Sequence, residues 1–458
     1  MTDFIPSHLA RMDSDRLKAY RQNLDFYQGI HWQQASRHRQ LVFNYTKVTI
    51  EKVTSFLVQE LGFTCYPTED TEEQFARVRR AERLLEQVYE DNNLQQLEHE
   101  TELDAAVLGD GCYKVLWDQD EKRIRITAPD VSGLYAWWLG DDLSRVWRVA
   151  SRYILTDDEV NILYGTPITR KKATITELWT ATEFQLYIDD SLMESKPNPY
   201  GFIPFIIFPN LREPKHFWGV SDIPILMQPQ RELNRALSQL SRILELSGNP
   251  IAVLENIASA EDIKVQPGAL WTIPEDAKAY LLDLLQGGGV RLHVDYIDLL
   301  YRALHDISES PRAAWGGTER ELSGAALRIE LGSLTQKVAR KRTIRTNAYH
   351  NRNAMILKLA QKYMNENLDG VLHRVVWGPI LPADAERQAQ TEQLLVQAGV
   401  HCRRTSMDEM GVQDPEAEFQ RWLDERRKIL EMNKEFRAGS TRGGARERAV
   451  AAEMEVPE

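Results

Sequence analysis

Cysteine is scarce. The 458 residues hold three, Cys65, Cys112 and Cys402, far apart and none in a C-x-x-C pair. That spacing speaks against a disulfide framework and a cysteine zinc site, and points to a reducing compartment with ordinary thiols. Long apolar runs are missing too. No stretch approaches the ~20 consecutive apolar residues of a membrane helix, and the opening MTDFIPSHLARMDSDR lacks a charged-then-apolar signal pattern. A secreted or membrane-embedded protein is therefore not expected.

Catalytic strings are equally sparse. The chain has no Gly-Lys dipeptide, so no phosphate-binding GxxxxGK[ST] loop, and no HExxH, GxSxG or GxGxxG. The ten histidines are scattered, and His99-Glu100-Thr101-Glu102 lacks a second histidine, reading as a solvated helix face. The acidic pairs Asp141–Asp142, Asp157–Asp158 and Asp189–Asp190 have loop flanks and read as turn residues. A nuclease-like pattern would have to join Pro129-Asp130 to Glu261-Asp262-Ile263-Lys264 across more than a quarter of the chain. An enzyme, a metal and a cofactor are not expected.

One local absence is unusual. Between Gly332 and Lys362 there is no acidic residue, yet Lys337, Arg340, Lys341, Arg342, Arg345, Arg352, Lys358 and Lys362 fall there. This basic helix face, led by Lys337, Arg340, Lys341 and Arg345, can pair with acidic groups of the chain or of a neighbouring subunit, or touch nucleic acid. The whole chain carries −12. If nucleic acid is involved, passage along a mostly repelling surface fits that sign better than tight wrapping.

What is present has a clear order. The spacing predicts helices over 13–29, 45–62 and 71–108, the last as one long run. After Gly109, CYKVLW (112–117) and RIRI (123–126) predict a hairpin turning at 118–121, followed by a strand-rich region to about 208. Ser221 can cap a helix with Pro224 in its first turn, running to about Leu246. Leu233, Leu237, Leu240 and Leu244 share one face of it. A second helix, 290–307, carries Val294, Ile297, Leu300, Leu304 and Ile307. The two flank a small compact insertion, an arrangement like a hairpin on a stalk. A polar loop follows (308–322), then a proline-free helical pattern from 323 to about 365, roughly 60 Å if unbroken. Residues 371–377 predict a strand, and 383–398, 405–410 and 415–436 helices. The Gly/Arg/Glu-rich end reads as a flexible tail. The fold class is α+β.

Several ordered blocks resemble one family. They are Tyr27-Gln28-Gly29-x-His31-Trp32 with Asn44-Tyr45-x-Lys47, and Ala105-x-x-x-Gly109-x-Gly111-x-Tyr113-Lys114-Val115 with Trp117-Asp118. Next come Gly201-x-Ile203-Pro204-Phe205, Pro209-Asn210 and Gly219-Val220-Ser221-Asp222-Ile223 with Asn234, then Leu322-Ser323-Gly324-x-Ala326-Leu327-Arg328. The last are Trp377-Gly378-Pro379, Leu381-Pro382, Gly399, Thr405, Gly411, Asp414-Pro415-Glu416-x-Glu418 and Glu425-Arg426. Together, over roughly 20–430, they resemble the portal proteins of tailed phages with long non-contractile tails.

The resemblance implies a ring of about twelve subunits through which double-stranded DNA passes without sequence readout. It implies a wing (1–220), stem helices (221–247 and 290–308), a clip (248–289), a tunnel loop (309–322), a long helix with a wing return strand (323–380), a crown (381–436) and a tail (437–458). The loop residues Glu309, Arg312, Trp315, Arg320 and Glu321 would lie near DNA. In the clip, Glu255, Glu261, Asp262, Lys264, Trp271 and Glu275 would meet partners. Those partners would be the terminase large subunit and a head-completion adaptor, with the major capsid and scaffolding proteins around the ring. The setting would be the virion's portal vertex, and the host cytoplasm during assembly. The rivals are a head–tail structural protein off the DNA path, and a nuclease-type enzyme.

Overall fold

The computed structural model describes residues 4–432 except 33–39, 60, 166–169, 249–250, 257–275, 277, 283–288, 317–323, 382–384, 413–414 and 416–417. At 54% helix and 23% strand, with every strand pair antiparallel, the fold is α+β. The chain divides into two units, Met1–Ile380 and Leu381–Glu458.

The first unit opens with helices Ser14–Tyr27 and Tyr45–Leu57, the second capped by the Asn44 side chain, which accepts from the Lys47 amide at 3.1 Å. The spacing carried that second helix to Gly62. It stops at Leu57 instead, and Leu61–Pro67 is a strand paired with Val371–Trp377, from Leu61↔Trp377 to Pro67↔Val371. A partner three hundred residues away overrides the local helical pattern.

The expected single helix over 71–108 is two, Glu72–Asp91 and Leu94–Leu108, broken where Asn93 takes a left-handed φ of 45°. The break serves Asn92. Its side chain donates to Val88 and Ile124 carbonyls at 2.8 and 2.9 Å and accepts from the Ile126 amide at 2.8 Å, completing the edge of a strand.

That strand, Arg123–Thr127, forms the predicted hairpin with Asp110–Asp118, in register Val115↔Ile126, and Phe205–Pro209 adds on the other side. A five-stranded meander follows in chain order: Leu134–Leu139, Asp142–Thr156, Lys172–Thr180, Glu183–Ile188 and Ser191–Pro197. One core joins Val78, Leu85 and Val88 to Tyr113, Val115 and Ile124 of the hairpin and Ile356, Leu359 and Ala360 of the long helix. A second packs Val149, Ile175 and Leu186 against Tyr20, Cys112 and Phe205.

The Gly219 block has a steric reason. A Cβ there would lie 2.4 Å from the Gly109 carbonyl oxygen and 2.6 Å from Pro209 Cβ, while Gly109 itself ends its helix at φ +118°. This close crossing places Ser221 and Asp222 at the base of the helix Pro224–Gly248, which Pro229 interrupts by removing one donor. Helix Gly289–Ser308 packs against it. Between them Ile251–Glu255 pairs with Lys278–Leu282. Finally, Gly324–Glu330 and Gly332–Tyr363 are separated by a turn at Leu331. The break falls beside Gly332, where the pattern leaves room for a kink, and the longer helix has 32 residues, about 48 Å.

The second unit contains helices Ala385–Gln397 and Arg403–Glu409 and a helical run over 418–432. Trp422 stacks on Phe419 at 5.7 Å and under the Arg403 guanidinium at 4.3 Å. The predicted tail, 437–458, lies outside the described residues.

Candidate functional site

The helix pair comes first, because everything else is arranged at its root. In helix Pro224–Gly248, Leu233 is buried and Leu237 and Leu240 half-buried. In helix Gly289–Ser308, Leu304 is buried and Ile297 and Leu300 half-buried. Leu244 stands 52% exposed, so the seam does not extend to it. The Tyr296 hydroxyl crosses the pair to donate to Glu232 at 3.0 Å.

The second helix has another apolar face. Leu292, Tyr296, Leu299, Ala303 and Ile307 recur at helical spacing and share one side. Leu292 is 72% and Leu299 62% exposed. Ile225 on the first helix is exposed as well. Leu292 and Leu299 above all have the pattern of a packed face, and among the described residues they are left exposed in the single chain.

Sequence reasoning missed how the first helix is held. Gln230, Asn234 and Ser238, four residues apart, form a polar ladder facing His31, Leu41, Phe43 and Thr46. Gln230 accepts from the Thr46 amide at 3.1 Å, Asn234 from Phe43 at 3.0 Å, and Ser238 from Leu41 at 2.9 Å. The Asn234 amide also donates to His31 Nδ1 at 2.8 Å, leaving His31 Nε2–H to donate to the Phe26 carbonyl at 3.1 Å. Burial lowers the His31 pKa, in keeping with this neutral form. The amide and hydroxyl residues at every fourth position are the signal that was available.

The basic face is not a surface. Lys337, Lys341, Arg345 and Arg352 are buried, and the long helix faces the core with its cations. Arg345 Nε meets Glu102 at 2.9 Å with both side chains 0% exposed, and Nη1 and Nη2 reach the Pro209 and Asn210 carbonyls and Asn210 Oδ1 at 2.6–3.1 Å. Arg352 pairs with Glu98 and lies under the rings of Tyr89, Tyr113 and Tyr349. Burial raises the Glu98 pKa, against the pull of Arg352. Nucleic-acid contact is closed to these buried cations; their partners are in the same chain. Glu102 correspondingly leaves the expected solvated face of His99-Glu100-Thr101-Glu102, on which only His99 and Glu100 are exposed. Arg340, Lys358 and Lys362 are the exposed members, and Arg340 pairs with Glu309 at 2.5 Å.

Asp222 sits where the helix pair joins this face. Lys337 Nζ is 3.0 Å from its Oδ1, Lys341 Nζ donates to its Oδ2, and Asn210 Nδ2 donates at 3.2 Å. Burial by itself would raise this carboxyl, but Lys341 and then Lys337 hold it well below the usual carboxylate range. Burial pulls Lys341 down to about 8 against the attraction of Asp222.

At the same end of the pair, where its second helix finishes, the start of the expected DNA-facing loop is packed. Ser308, Ser310 and Ala314 are buried, and Arg312–Trp315 is a 3-10 turn. His305 Nδ1–H donates to the Ser310 carbonyl at 2.6 Å, between the rings of Tyr301 and Trp315 at 4.6 and 5.0 Å. Trp315 Nε1 donates to Ser310 Oγ at 3.1 Å, and the Arg312 guanidinium lies 5.4 Å from the Tyr301 ring centre. Glu309, in a left-handed turn at φ 55°, is half-buried. Arg320 and Glu321 lie outside the described residues.

Of the clip candidates, Glu255 is exposed at the end of its strand and accepts from Tyr280 at 3.2 Å. Glu261, Asp262, Lys264, Trp271 and Glu275 lie outside the described residues. The nuclease rival keeps only Asp130, which is a turn cap accepting from the Ser132 amide at 2.8 Å. Asp141, Asp189 and Asp190 are turn residues likewise, Asp142 begins a strand, and Asp157 and Asp158 open helix Asp157–Tyr164 after a Thr156–Glu159 capping box. Among the described residues, no group of three His, Cys, Asp or Glu could hold a metal ion, and no helix is long and apolar enough to cross a membrane.

The α+β body thus carries a helix pair whose second helix exposes an apolar stripe, the kind of surface on which copies of a protein assemble. A family profile described as phage portal protein, SPP1 Gp6-like, matches residues 7–432. The chain belongs to that family of DNA-packaging portal proteins of tailed bacteriophages, which are structural components of the capsid and its head–tail connection. No curated protein matches it significantly.

Proposed function

We propose that this chain is a non-catalytic conduit. About twelve copies close into a ring at one capsid vertex, and double-stranded DNA enters and leaves along the axis. Helices Pro224–Gly248 and Gly289–Ser308 are the stem, and residues 1–220 with the return strand Val371–Trp377 the wing. Residues 248–289 are the clip, which docks the terminase large subunit during packaging and the head-completion adaptor afterwards. Residues 309–322 reach toward the channel from the packed root at Ser308–Trp315. The segment 381–436 is the crown, and the major capsid and scaffolding proteins surround the ring. Assembly takes place in the host cytoplasm.

The observation that carries this reading is the apolar stripe Leu292–Tyr296–Leu299–Ala303–Ile307. A head-to-tail ring buries such a stripe against a different surface of the next copy, and closure leaves none exposed. The test is the double variant L292D/L299D, measured by particle mass. Both positions are exposed in the single chain, so the fold has little to lose, whereas the ring should fall apart into small species. A double variant that forms the same ring as the parent would sink this use of the stripe.

A further inference from the structure

The buried charges around Asp222 do not balance. Two ammoniums, Lys337 and Lys341, share one carboxylate. Arg345, one helical turn after Lys341, is already matched by Glu102, and the intervening Arg342 is turned to the carbonyls of Phe56, Leu57 and Gly378. A core that needed only neutrality would keep one lysine, since an extra buried cation is costly unless something else accepts its hydrogen bonds. Lys341 has local acceptors: besides Asp222 it donates to Asn210 Oδ1 at 2.8 Å. Lys337 does something different. Its Nζ donates at 3.0 Å to the backbone carbonyl of Ser308, the last residue of helix Gly289–Ser308.

We propose that Lys337 is a positioning residue that clamps both feet of the helix pair to the long helix. One ammonium holds Asp222, two residues before helix Pro224–Gly248 begins, and Ser308, where its partner helix ends. A cation at a helix C-terminus also offsets the partial negative charge of the last carbonyls. The next residues are tied on the same helix by Arg340–Glu309, so the exit of the chain into 309–316 is fixed at two adjacent points. Under the reading above, that exit sets where the channel loop starts. This consequence rests on the portal assignment, but the clamp does not.

The two lysines provide their own control. Either K337M or K341M leaves a single neutral ion pair with Asp222, so the charge change is the same. In K341M, Asn210 Oδ1 keeps Arg345 Nη2 at 3.1 Å and Ser308 keeps Lys337. In K337M, the Ser308 carbonyl loses its cation. Hydrogen–deuterium exchange of the full chain reads the difference. K337M should speed exchange of the amides over 305–316 about ten- to a hundredfold, the loss of one charge-assisted bond to a helix end, and leave the core around Tyr113 and Ala106 unchanged. K341M should leave 305–316 at the parental rate. Equal rates in the two variants over 305–316 would overturn the clamp. So would faster exchange throughout the core in K337M, or a K337M protein that does not fold while K341M does. Each would make Lys337 a general core residue and not a tether. None of these readouts depends on whether rings form.

Discussion

Glu102→Gln is the sharpest test of the buried charge network. The substitution keeps shape and one acceptor for the Tyr349 hydroxyl, now 3.1 Å away, but removes the charge that faces Arg345. At 2.9 Å and an effective dielectric near 20, the lost attraction is about 6 kcal/mol. The three oxygens of Pro209 and Asn210 still hold the guanidinium, which returns part of it. Breaking a buried pair of this kind costs about 3–5 kcal/mol. Urea denaturation followed by tryptophan fluorescence measures the loss, with Trp377, 5.6 Å from the Tyr349 ring, as a near reporter. Arg345→Met should cost more than E102Q, because it strands Glu102 and also the Pro209 and Asn210 carbonyls. The double variant E102L/R345M should recover only part, since those carbonyls remain unsatisfied. A loss below about 1 kcal/mol for E102Q, or R345M milder than E102Q, would refute the reasoning.

Other outcomes follow from the same network and its surroundings. The Lys341 pKa is about 8 when folded and about 10.4 when unfolded, so between these values the unfolded chain binds more protons and stability rises with pH. The parent should gain about 2 kcal/mol relative to K341M between pH 7.5 and 9.5 in paired urea titrations; a flat difference would contradict the burial of that ammonium. Gly219→Ala drives a Cβ into the Gly109 carbonyl and Pro209 and should cost about 2 kcal/mol or more in the same assay. Leu237→Asp or Leu240→Asp, which charge the half-buried seam between the two helices, should prevent ring formation by particle mass.

The sequence made the local features legible. The hairpin 112–126 follows from period and turn chemistry, and the helix through Leu233 from its period; both are present, although the helix begins at Pro224 and Ser221 does not cap it but accepts from the Ile223 amide and donates to the Ala106 carbonyl, each at 3.0 Å. What it hid is long-range. Strand Leu61–Pro67 reads as the end of a helix because its partner is Val371–Trp377. The break at Asn93 is set by what Asn92 does for a strand thirty residues on. The basic helix is the instructive case. Its lack of any carboxylate announced that its counter-charges lie elsewhere, and Glu98 and Glu102 one helical turn apart were candidates in plain view. Nothing local, however, distinguishes a solvated run of cations from one turned inward, because burial is decided by which helix lands opposite. The candidate loop was half legible. Glycines and charges mark 309–322 as a loop, while the burial of Ser308, Ser310 and Ala314 depends on His305, Trp315 and Lys337 meeting in space.

A portal role requires that copies of this chain close around a DNA-wide axis. Native mass spectrometry of the purified protein, paired with electron-microscope class averages, tests it most directly. The expected result is a closed ring of about twelve subunits with an open axial channel. A monomer or dimer at micromolar concentration, with no ring under any salt condition, would contradict it.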